Sequence, residues 1–170
     1  SVSFLRRAAR HQLGRIDDSD VACAFRETFE ESGKTIQDDA LSVAVEAIGG
    51  FAYMMQLVGF RTWIEAEACD SVRLSHVERG AALAKRDFEN GVIKKTLQEL
   101  SDGDIAFLEA MLPDGNQPSS MNDIAARMGK TPNYARVYRT RLTEQGLISV
   151  PRRGIVEFEM PLLREYLAEG

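Results

Sequence analysis

The chain has 170 residues, of which 44% are hydrophobic, and a net charge of −5, enough for one or two packed domains. No apolar run approaches the roughly 18 residues that a membrane-spanning helix needs, and the opening Ser1-Val2-Ser3-Phe4-Leu5-Arg6-Arg7 has no signal-peptide core. Cys23 and Cys69 stand at no metal-ligand spacing, which predicts reduced core thiols, a cytoplasmic protein and no membrane partner.

In chain order, residues 1–16 hold Arg6, Arg7, Arg10 and Arg15 and no acid. Phe4 and Leu5 read as the start of a helical turn and 10–13 as a short extended piece. A stretch this sparse, without an initiator methionine, implies an excised piece that leans on a missing part. From Asp17 the pattern turns helical. Asp17 and Asp20 form a capping-box-like pair, and Val21, Ala24, Phe25, Thr28 and Phe29 follow at helical spacing up to Gly33. Thr35-Ile36 is a short extended link. Asp38 or Asp39 opens a second helix with Leu41, Val45 and Ile48 inward, closed by Gly49-Gly50. A third helix, 52–68, is apolar around most of its circumference and is expected to be the most buried of this half. Its aromatic residues sit at core spacing. Asp70-Ser71-Val72-Arg73 reads as a loop. Ser75 and Glu78 suggest a capping box for a long helix, 76–99, that Gly91 can kink.

A boundary is expected near 97–101, giving domains 1–98 and 99–170. Ser101 and Asp104 form a further capping box, before Ile105, Leu108 and Leu112. Residues 113–120 are a loop rich in proline, glycine and serine. Ile124, Ala125 and Met128 share one face of a short helix that Gly129 stops. Thr131 then offers a capping hydroxyl and Pro132 suits the first helical position. In this next helix, 132–145, Ala135, Tyr138 and Leu142 share a face. Gly146 ends it, Leu147-Ile148-Ser149-Val150 has strand composition, Pro151-Arg152-Arg153-Gly154 is a turn, and Ile155-Val156-Glu157-Phe158 returns. A closing helix uses Leu162, Leu163, Tyr166 and Leu167.

Charge is unevenly distributed along this chain. Between 127 and 153 stand seven cations, Arg127, Lys130, Arg136, Arg139, Arg141, Arg152 and Arg153, against Glu144 alone. That stretch is +6 in a chain of −5, so the remainder carries −11. Such asymmetry suits phosphate contact; a solvated, salt-bridged helix face is the plainer reading. The acid pairs Asp17/Asp18, Glu30/Glu31 and Asp38/Asp39 are neighbours in sequence and do not share a helix face. They read as first-turn or surface acids. His11 and His76 are isolated, and no nucleophile–base set is evident. No catalytic residue and no metal site is expected.

Residues 101–168 resemble the winged-helix variety of the helix-turn-helix family, whose second helix ends as Leu142-Thr143-Glu144-Gln145-Gly146-Leu147-Ile148 does here. The resemblance implies duplex DNA as partner, read by the helix 132–145 with the wing 149–156 beside it. With Ala135, Tyr138 and Leu142 inward, Asn133, Val137 and Thr140 point outward, flanked by Arg136 and Arg141. Such a helix reads bases with its N-terminal residues. Asn133 suits adenine, Arg136 suits guanine or a phosphate, and Val137 meets a thymine methyl. Lys130, Thr131 and Tyr134 are assigned to the backbone, as are the wing arginines Arg152 and Arg153, which follow the adjacent groove. Arg139 lies nearer the buried flank.

The first half resembles the helical lid of AAA+ and related signal-transduction ATPases, especially the archaeal-type and origin-recognition branch. The stretches that carry this are Leu13-Gly14-Arg15-Ile16-Asp17, 36–41 (Ile-Gln-Asp-Asp-Ala-Leu) and 48–57, from Ile48-Gly49-Gly50 to Leu57. The implied fold is mainly α: a lid-like helical bundle followed by a winged helix-turn-helix with a small β wing. ATP and magnesium are implied for the parent protein, but not for this fragment, which lacks Gly-x-x-x-x-Gly-Lys-Ser/Thr. The fragment is expected not to be an enzyme. Gly49-Gly50 reads as a helix cap over a nucleotide contact, and Arg61 has no assigned part. Two other functions stand beside DNA binding: a regulatory module packing on the absent ATPase core or another protein, and a standalone transcription regulator with a ligand pocket in 17–97.

Overall fold

The computed structural model describes residues 15–170. The expected turn at Phe4-Leu5, the extended piece at 10–13 and the arginines before Arg15 lie outside them. The described chain is mainly helical, with a three-stranded antiparallel sheet near its end. It forms two compact units, divided between Val92 and Ile93.

The first unit contains α1 (Asp18–Glu31), β1 (Thr35–Ile36), α2 (Asp38–Ile48), α3 (Ala52–Glu65), β2 (Ser71–Val72) and α4 (Leu74–Phe88). Phe25 and Phe29 lie buried on α1 one turn apart, and Phe29 continues the cluster to Trp63 with ring centroids 6.0 Å apart. Residues 70–73, expected as loop, contain β2, which pairs in parallel with β1. Two-residue strands carry no periodic signal, so only the tertiary pairing reveals them. At Gly80 α4 meets α3 closely: an added Cβ would stand 2.7 Å from the Thr62 backbone nitrogen.

Several local expectations change. Helix α3 is not the most buried of its unit: only Met54, Val58 and Thr62 are enclosed, while Phe60 is 59% exposed and Ile64 44%. Hydrophobicity all round marked it for burial, but α4 covers one flank of it and leaves these side chains outside. Cys23 is exposed on α1 and Cys69 half-buried; both are free thiols, and Cys23 is no core residue. No Asp17 side-chain bond caps α1. Helix α4 begins before the expected Ser75/Glu78 box, with the Arg73 N–H donating to Nδ1 of buried His76 at 3.2 Å.

After α4 the helix opens into a π turn, Glu89–Ile93, and resumes as α5 (Lys94–Gln98). The irregularity expected at Gly91 is thus one wider turn. The second unit continues with α6 (Asp102–Met111), a 3₁₀ turn (Leu112–Asp114), β3 (Ser119–Ser120), α7 (Met121–Arg127), α8 (Pro132–Glu144), β4 (Ile148–Arg152), β5 (Ile155–Phe158) and α9 (Leu163–Glu169). Phe107, Leu108, Ile124, Ala135, Leu142 and Val156 are fully enclosed among α6, α7, α8 and the sheet. The sheet order is β3-β5-β4. The expected hairpin is present, but a third strand, read as loop, pairs along β5.

Candidate nucleic-acid interface

The local sequence explains how α8 is placed. Gly129 takes the left-handed conformation, at φ 63°, and lets the chain leave α7. Thr131 caps α8, its Oγ1 accepting the Tyr134 N–H at 3.3 Å, and Pro132 fills the first turn. Ala135 and Leu142 face the core with no exposure. The opposite side holds Asn133, Arg136, Val137 and Thr140, all exposed, with Val137 at 57%. Thr140 turns its hydroxyl back onto the Arg136 carbonyl, so it is partly satisfied within the helix.

The seven cations of this region fall into two sets. Arg127 and Arg141 are engaged inside the fold. Arg127 grips both oxygens of Asp114, at 2.7 and 2.6 Å, and donates to the Ala110 carbonyl. Its hydrogen bonds are the main reason that the Asp114 carboxyl sits below its ordinary value. Arg141, expected to flank the outward face, donates to Asp104 Oδ1 through Nε and Nη2 and to Ser101 Oγ. Asp104 is buried at the start of α6, where it also takes the N–H and hydroxyl of Ser101. Burial by itself would raise this carboxyl; the Ser101 and Arg141 hydrogen bonds outweigh it and hold it low. The capping box is therefore also the anchor of Arg141.

The remaining five stay open. Among the described residues no acid pairs with Arg136, Arg139, Arg152 or Arg153. Arg136, Arg152 and Arg153 are exposed and Arg139 is half-buried. Lys130 stands over the Tyr134 ring, 5.3 Å from its centroid. Arg152 ends β4 and Arg153 begins a two-residue turn closed by Gly154 at φ 80°. The Met121 N–H donates to the Gly154 carbonyl at 2.9 Å, which ties the hairpin tip to the start of α7.

Sequence reasoning missed a row of rings along α8. Tyr134 and Tyr138 meet edge to face at 5.3 Å, and the Tyr138 hydroxyl donates to that of Tyr134 at 2.9 Å. That bond chiefly pushes the Tyr138 ionisation up. Arg141 covers the Tyr138 ring, and Tyr138 in turn leans on Gly103, where a Cβ would lie 2.4 Å from a ring carbon. A glycine inside a helical pattern was the available signal for such a close approach.

In the first unit Arg15, Arg73 and Arg86 are also exposed without an acid partner among the described residues; Arg15 precedes α1, Arg73 precedes α4 and Arg86 lies on α4. Gly49 caps α2 at φ 57°, its N–H bonded to the Val45 carbonyl. Gly50 is required by close approach, since a Cβ there would stand 2.7 Å from the Ile16 carbonyl oxygen. Arg61 pairs with Asp87 at 2.6 Å. Gly49 and Gly50 thus serve a cap and a crossing, and Arg61 an ion pair. No cluster of three or more metal-ligating side chains occurs among the described residues, and no helix there is long and apolar enough to cross a membrane.

Residues 90–167 match the model of a domain of unknown function, DUF8462. No curated protein matches the chain. Among solved structures it is similar to a RuvB mutant of Thermotoga maritima, at 16% identity and a TM-score of 0.44. The match covers 92% of this chain and 50% of that one, so the chain spans about half the length of that protein.

Proposed function

We propose that residues 93–170 bind duplex DNA, with α8 in the major groove and the hairpin beside it, as the C-terminal part of a larger ATPase whose core holds ATP and magnesium. The observation that carries the DNA reading is the division of the cations. Arg127 and Arg141 are neutralised within the fold, yet Arg136, Arg139, Arg152 and Arg153 have no acid partner among the described residues. Asn133 and Val137 stand exposed on the same helix, a donor–acceptor group and an apolar one of the kinds that read base edges. The ATPase parentage is supported by the order of modules in the sequence, and the fragment alone is expected to turn over no ATP.

A salt titration of fluorescence anisotropy with duplex DNA tests the reading. Arg152→Ala with Arg153→Ala should weaken binding to every duplex and lower the salt slope by about two. Asn133→Ala should cost roughly 1–3 kcal/mol on a preferred site and little elsewhere. Affinity weaker than about 10⁻⁴ M at low salt, below even non-specific contact, would assign the basic face to a protein partner instead.

A further inference from the structure

The geometry points to Tyr134 as a stacking seat for a single unpaired nucleobase, so that this unit favours duplex DNA carrying an unpaired base over continuous duplex. This rests on the DNA-binding reading and deepens it. Tyr134 lies in the first turn of α8, 48% exposed. A tyrosine that served only the core would be enclosed. The Tyr134 hydroxyl oxygen accepts from Tyr138, which fixes the far end of the ring and leaves the Tyr134 O–H free, so the open ring and its hydroxyl are separate features that Tyr134→Phe distinguishes.

The ring is also held in place. Its edge-to-face contact with Tyr138 spans 5.3 Å. Tyr138 is itself fixed from two further sides, by Gly103 beneath it and by Arg141 above it, and Arg141 is locked on buried Asp104. An aromatic side chain whose torsions are already set loses little entropy when a planar group stacks on it. The Lys130 ammonium, 5.3 Å from the ring centroid, marks an electron-rich face that attracts a cation. Lys130 is exposed and long, so an incoming base displaces it, and its charge then lies beside the phosphate of the stacked nucleotide. Paired bases inside a duplex present only their edges, whereas an unpaired base presents a face. Arg136 and Arg139 follow on the same helix to hold the flanking backbone.

The experiment uses the whole 170-residue chain and two DNAs of one sequence: a continuous duplex, and the same duplex with a 2-aminopurine bulged, unpaired, from its centre. Stacking should quench the 2-aminopurine fluorescence. The bulged duplex should bind roughly 5- to 150-fold more tightly than the continuous one, the span of one base–aromatic stack. Tyr134→Ala should bring that ratio to one and abolish the quenching; Tyr134→Phe, which keeps the ring and loses only the hydroxyl, should preserve both. Equal binding of the two DNAs without quenching overturns the stacking seat and leaves duplex binding standing. A ratio that survives Tyr134→Ala, or that is lost in Tyr134→Phe, overturns it as well. Binding of neither DNA defeats this inference together with the reading beneath it.

Discussion

The two units differ in their charge balance. From Arg15 to Val92 there are eight cations against fifteen acids; Arg15, Arg73 and Arg86 are exposed without an acid partner among the described residues, and the others are drawn inward or paired. Arg26 holds Asp38, Arg61 holds Asp87 and Arg79 holds Glu65. Lys34 is 9% exposed, its ammonium donating to the carbonyls of Ala66, Glu67 and Cys69 and lying over Trp63. What this unit leaves outside is largely acidic, including Asp17, Asp18, Glu30, Glu31 and Asp39, together with the apolar Phe60 and Ile64. In the second unit Arg136, Arg152 and Arg153 stand open, beside the exposed Tyr134, Val137 and Val150. A cation informs on function only after its partners are known, because a paired charge is partly compensated before any ligand arrives.

Three measurements can break or sharpen that contrast. The largest effect belongs to Lys34→Met, which leaves carbonyls at the end of α3 without their donor. It should cost about 2–3 kcal/mol in urea unfolding; a loss near zero would show that water replaces the ammonium freely. Next comes Asp104→Ala, which removes the Asp104 half of the α6 capping box and frees Arg141, for about 2 kcal/mol. Asp104 also gives this unit an acid sensitivity. Its folded value lies below the ordinary 3.8, so its contribution is complete above that value and is lost as pH falls through the lower one. Stability measured from pH 7 downward should decline less steeply in the Ala variant than in the parent. The smallest effects are expected where the chain leaves groups open. Arg136→Ala and Phe60→Ser should each stay within about 0.5 kcal/mol. Only Arg136→Ala should weaken DNA binding. A large loss of stability for Arg136→Ala would show a structural duty and remove it from the interface.

The second unit's helices were legible because their boundaries are chemical. Ser101 and Asp104 give reciprocal hydrogen bonds, Thr131 and Pro132 suit a helix start, and Gly129 and Gly146 each adopt a positive φ. The outward face of α8 was equally readable, since buried Ala135 and Leu142 set the phase of the helix. The first unit was read less well at its third helix. Phe60 and Ile64 have the composition of a core, but composition does not say on which side a neighbour will lie.

By itself, then, the sequence determined the helices, the hairpin and the excess of positive charge between 127 and 153, because caps, glycines and periodicity act over a few residues. Tertiary structure alone decided the rest. It paired Thr35-Ile36 with Ser71-Val72 and Ser119-Ser120 with Ile155-Val156, segments too short to carry a period. It also separated Arg127 and Arg141, which are neutralised, from Arg136, Arg152 and Arg153, which are not. Those acid partners, Asp114 and Asp104, lie 13 and 37 residues away in the chain, and proximity of that kind exists only once α6, α7 and α8 have packed.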